Sequence, residues 1–165
     1  MPLPSGSVTE PTYFIVKTVP ALCLNPNRSR KAHWAELASA ISFLRLSTCT
    51  DVRNQGFPKK LVGHVDVYIC FCWPASNRRL RDSTNLHHYC KPIYDGLADA
   101  GLVDNDDQFY GARVEQYVLT KAQRSHYPHG CVIIGVTPGH ERETITPIDR
   151  DGFVTQAWLD GIPRE

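Results

Sequence analysis

Four aspartates, Asp82, Asp104, Asp106 and Asp107, bracket the segment 83–103, and three arginines, Arg78, Arg79 and Arg81, run up to the first of them. If the segment folds back on itself, carboxylates from two separate loops meet. They then supply the oxygen ligands and negative charge that a hard divalent cation such as Mg²⁺ takes, with water completing its shell. Such an ion activates water and stabilises charge developing on a phosphate. The arginines offer phosphate oxygens a positive approach. The same residue types also have purely structural uses. Asp82, Ser83 or Thr84 can cap a helix, the acids at 104–107 can form a solvated turn, and Lys91 can pair with Asp95 one helical turn away. Residue chemistry by itself leaves both readings standing.

The elements around these residues can be read from apolar spacing. Leu86, Cys90, Ile93, Leu97 and Ala100 recur at helical intervals, so a helix lies between the two acidic positions and ends near Gly101. Pro92 places the start of its regular part near Lys91, with the proline in the first turn, or else kinks it. Upstream, Val65, Val67, Ile69, Phe71 and Trp73 alternate within Leu61–Trp73, the clearest strand of the chain. Thr12–Val19 is β-branched and aromatic enough for a first strand. Trp34, Leu37, Ala38, Ile41 and Leu44 give a helix over about residues 30–46 with one buried stripe. "QFYGARVEQYVLTK" and "GCVIIGVTP" read as a closing pair of strands joined by the loop "AQRSHYPH". The order strand-helix-strand-helix-strand-strand predicts a single two-layer α+β (mixed α/β) domain over 12–137, with strand order left open. Residues 1–11, rich in Pro, Ser and Gly, read as a tail, and 138–165 as an extension in which "DGFVTQAWLDG" suggests a short helix.

Composition narrows the class. A chain of 165 residues with 42% hydrophobic and 21% charged residues suits one domain with its own core rather than a disordered chain. The net charge of +1 excludes nothing about partners, because opposite charges are segregated along the chain. No apolar run reaches the roughly 18 residues needed to span a bilayer, and the N-terminal stretch lacks the regions of a signal peptide, so an intracellular protein is expected. The six cysteines are most simply buried small hydrophobes. A zinc site would have to draw on Cys70, Cys72, Cys90 and His87 or His88, at a spacing that fits no common finger or ribbon.

"RRLRDSTNL", "KPIYDGLADAGL" and "DNDDQ" follow one another in the order found in the RusA family of Holliday junction resolvases, and the chain resembles its phage-borne members over about residues 12–137. The resemblance implies a homodimeric endonuclease, dependent on Mg²⁺ or Mn²⁺, that hydrolyses phosphodiesters in four-way and related branched DNA. It implies no nucleotide cofactor and no membrane, and a cytoplasmic setting in a bacterial host, with phage or prophage origin. By position, Asp82 and Asp106 match metal-binding aspartates, Asn85 the asparagine after the first aspartate pair, and Lys91 the active-site lysine. Asp82, Asp106 and Lys91 are thus the expected catalytic residues, Asp82, Asp106 and Asp107 the metal ligands, and Arg78, Arg79, Arg81 and Asn85 the DNA contacts. Two departures stand out. Thr84 occupies the place of a second aspartate, and Asn105 the place of an acid before Asp106. Asp104 or Asp107 could replace a missing ligand. A DNA-binding protein that has lost turnover is the alternative reading.

Overall fold

The computed structural model describes residues 11–57, 59–74, 83–139, 151 and 156. Alternating residues of β2 (Val65–Trp73) define the centre: Val65, Val67, Ile69, Phe71 and Trp73 are all buried on one face. On the other face Cys70 and Cys72 are buried as well. β1 (Thr12–Val16), β3 (Phe109–Val118) and β4 (Cys131–Pro138) complete a sheet of order β1-β4-β2-β3. β3 runs parallel to β2, from Val65↔Phe109 to Trp73↔Val118. β4 is antiparallel to both β1 and β2, with Ile134 opposite Phe14 on one side and Ile69 on the other. The last two strands are therefore not partners of each other, as a closing pair would be. The link between them, with the short helix α5 (Lys121–Arg124), carries the chain from an edge to the sheet interior.

Two helices cover one face. α2 (Trp34–Gln55) and α4 (Cys90–Ala100) pack on each other and join Phe14, Val16, Ile69, Phe71, Ile134 and Val136 in one core. Each such side chain taken fully out of water contributes on the order of 1.5–3 kcal/mol before entropy is counted. α4 buries Cys90, Pro92, Ile93, Leu97 and Ala100; Pro92 sits in its first turn, where no amide is missed, and Gly101 ends it at φ 87°. At the helix crossing Gly96 lets the α2 backbone approach: a Cβ there would lie 2.6 Å from the Arg45 carbonyl oxygen. Arg45 holds Asp99 by a two-pronged contact, Nε at 2.5 Å and Nη2 at 2.8 Å.

α2 departs from expectation. It runs nine residues past Leu46, and its buried positions are Leu44, Thr48, Cys49 and Val52. Of the expected stripe only Leu44 is in the core; Trp34 is 74% exposed, Ile41 and Ala38 are exposed, and Leu37 is half-buried. The reason is reach. Asp51 and Gln55 of α2 bond the backbone of Lys17 and Ile15, so the N-terminal half of the helix extends past the end of β1 and leaves the sheet behind. β1 is also shorter than expected, stopping at Val16.

The cysteines divide between the two faces. Cys90 belongs to the helix-covered core, whereas Cys70, Cys72 and Cys131 cluster with Leu119 on the opposite side of the sheet. No common zinc site can therefore use Cys70, Cys72 and Cys90. Five of the six cysteines are buried and all six are free. Among the described residues no helix is long and apolar enough to cross a membrane. The expected helix near the C-terminus lies outside the described residues, apart from Asp151 and Gln156.

Candidate metal and phosphate site

Lys91 stands in the first turn of α4, with its side chain 64% exposed. The approach to it is fixed by aromatic packing: Phe71 and Trp73 stack at 5.7 Å on β2, and Tyr89 sits edge-on to both. This anchors the segment formed by α3 (Ser83–Leu86) and the 3₁₀ turn His87–Tyr89 at the start of α4. Four residues on, Asp95 shares the helix face of Lys91, and the Lys91 ammonium donates to its Oδ1 at 2.8 Å. The same ammonium also donates to Asp106, from the loop beyond the helix. Two carboxylates from different elements thus converge on one cation. Hydrogen bonds from the ammonium to Asp106 first, and to Asp95, hold the lysine above its ordinary pKa.

The loop bearing Asp106 is built to stay in place. Asn105 caps the 3₁₀ turn Asp106–Gln108 by accepting from the Asp106 amide at 2.8 Å. Gln108 turns back so that its Oε1 accepts from the Asp104 amide at 2.7 Å and the Asn105 amide at 3.2 Å. Its amide nitrogen donates to the Gly63 carbonyl at 2.9 Å, tying the loop to the approach to β2. Asn105, standing where an acid was expected, is therefore a capping residue. Asp104 pairs with Lys60 instead of the site.

Of the expected residues, Lys91 and Asp106 are brought together. Asp107 lies in the same turn, exposed, and makes no ion pair with a described residue. Asn85 is half-buried in α3, and His87 and His88 are exposed in the turn that follows. Arg78, Arg79, Arg81 and Asp82 lie outside the described residues. Asp95 was foreseen only as a helix-surface partner of Lys91, and its convergence with Asp106 could not be read from local spacing. A second acid four residues after the lysine was the available signal.

No three His, Cys, Asp or Glu side chains among the described residues gather closely enough to hold an ion. Asp95 and Asp106 nonetheless suit Mg²⁺, which keeps several waters and commonly takes one or two carboxylates with substrate phosphate. The Lys91 ammonium lies between them in this structure. Neither a scan against protein-family models nor a search of curated proteins gave a match.

Proposed function

We propose that the chain is a Mg²⁺- or Mn²⁺-dependent endonuclease of the RusA kind, acting as a homodimer on four-way and other branched DNA. The observation that supports this reading best is the meeting of Asp95 and Asp106 at the Lys91 ammonium. In it, Asp106 and Asp95 would hold the ion together with Asp82, whose position matches the family's first aspartate. When bound, Mg²⁺ supplies Lewis-acid activation of water and positive charge at the scissile phosphate. With the two carboxylates holding the ion, the Lys91 ammonium would serve the phosphate oxygens, offsetting the charge that grows on them in the transition state. Asn105 and Gln108 keep Asp106 from drifting, which matters because small displacements of a reacting group are costly in rate. Arg78, Arg79 and Arg81 supply phosphate contacts that hold the substrate without reading its sequence.

Cutting of a synthetic four-way junction tests the assignment. Asp106→Asn should lower Mg²⁺-dependent cleavage by about 10²-fold or more while junction binding persists, since charge at the ion is lost and the basic surface is kept. Cleavage at the wild-type rate would remove Asp106 from the site. The use of Asn105 as a cap and of Thr84 in place of an acid favours a second reading, a junction-binding protein without turnover. Tight binding with no metal-dependent cutting by the wild type selects it.

A further inference from the structure

Among the described residues some exposed cations pair with carboxylates and others, Lys17, Arg53, Lys59 and Lys121 among them, do not; the stretch 28–31 places three of the second kind within four residues. Arg45, Lys60, Lys91 and Arg113 each pair with a carboxylate. Arg28, Arg30 and Lys31 are exposed and make no ion pair with a described residue. No acidic residue occurs between Glu10 and Glu36, so the charge of this stretch is uncompensated in sequence as well. The three side chains are carried on the short helix α1 (Pro26–Ser29) and the turn that follows it. The Arg28 and Ser29 amides both donate to the Asn25 carbonyl at 2.8 Å, and the Lys31 amide donates to the Arg28 carbonyl at 3.0 Å. Holding the backbone in advance lowers the ordering cost of any ligand these cations meet.

Trp34 follows directly, 74% exposed, with the His33 ring tilted beside it at 5.6 Å. His33 is fixed in turn, its Nδ1 accepting from the Ala35 amide at 3.2 Å. α2 extends seventeen residues N-terminal to Asp51, its contact with the end of β1, which places Trp34 ~25 Å beyond that point. A basic turn and an open indole therefore lie close together in the chain, ahead of the buried part of α2. Unpaired cations beside an exposed aromatic ring are the two components of single-strand recognition: charge for the backbone and a flat platform for a base. A duplex offers phosphates but keeps its base faces stacked.

Resting on the branched-DNA reading above, we propose that Arg28, Arg30, Lys31 and Trp34 form a second nucleic-acid contact that takes unpaired nucleotides, phosphates on the cations and one base on the indole. It is separate from the Lys91 site and needs no metal. The test measures binding of a labelled single-stranded oligonucleotide, its fully paired duplex and a four-way junction at several salt concentrations, alongside Mg²⁺-dependent junction cleavage by the wild type. Replacing Arg28, Arg30 and Lys31 together with alanine should lower the single-strand salt slope by roughly two units, at about 0.7 per phosphate contact. Trp34→Ala should weaken single-strand binding by about 10-fold, leave the slope and the duplex affinity unchanged, and be largely rescued by Trp34→Phe. Unchanged melting temperatures establish that these surface variants fold. Single-strand binding equal to wild type in both variants overturns the proposal, as does an equal loss for strand and duplex in Trp34→Ala. If the wild type cuts junctions and the variants bind normally, this contact fails and the nuclease reading stands. If the variants behave as expected and the wild type never cuts, the nuclease reading fails and this contact stands.

Discussion

Lys91 is the residue on which the proposed chemistry turns, and its protonation state decides what it can do. Its folded pKa is raised by Asp106 and Asp95, so the stabilisation gained from the charged form is fully present below the unfolded lysine value of about 10.4 and is lost only as pH climbs through the higher folded value. In the metal-free protein the Lys91 ammonium is therefore held in its charged form by these two carboxylates. Lys91→Met should lower junction cleavage by about 10²-fold, and Lys91→Arg should retain part of the rate. Full activity in Lys91→Met would reduce the residue to a surface ion pair. Lys91 and Asp106 were singled out by the resemblance, while residue spacing alone placed only the acidic loop beyond the helix and Lys91 one turn before Asp95. Asp95 was visible only as a neighbour. The capping role of Asn105 was not legible, since a cap is a relation to the next backbone amide and the residue type alone does not reveal it.

At the scale of elements, β2 and α4 were legible because their patterns are complete: every second residue of one and every third or fourth of the other enters the core. α2 was misjudged for a physical reason. Apolar spacing says which residues share a face, but burial needs a partner, and the N-terminal half of α2 lies beyond the sheet. Sheet order was equally closed to local pattern, because β4 inserts between β1 and β2 through pairings made far apart in the chain. The crossing of α2 and α4 rests on Gly96. Alanine is the better helix former by up to ~1 kcal/mol, yet its Cβ would lie 2.6 Å from the Arg45 carbonyl and 2.7 Å from the Thr48 Cβ. Neither is the free end of a flexible side chain. Forcing helices apart costs about 1–3 kcal/mol, so sterics should win. Gly96→Ala is expected to lower the melting temperature by about 3–6 °C, from a net loss of ~1.5 kcal/mol at 2–4 °C per kcal/mol. A rise in melting temperature would mean that the helices meet less closely than this.

For the molecule as a whole, the question is whether metal is needed to fold or only to act. The core is continuous across the helix-covered face of the sheet, from Phe14 through Ile69 to Ile134 and over to Leu97, and no part of it involves the Lys91 site. Without an ion, the Lys91 ammonium already offsets the two carboxylates it touches, so emptying the site leaves no large repulsion behind. The thiols offer no alternative staple. Cys90 and the Cys70–Cys72 pair lie on opposite faces of the sheet, and burial pushes the Cys90 thiol up to about 11, far from the thiolate a zinc ion binds. Dialysis against EDTA should therefore abolish junction cutting while leaving the melting temperature of the free protein where it was. Adding Mg²⁺ back to ten times its dissociation constant should restore cutting and stabilise the fold by only about 1.4 kcal/mol, the mass-action gain for one site. Unfolding on chelation is the outcome that would undo this account, because it would make a bound metal part of the scaffold and return the cysteines to consideration as its ligands.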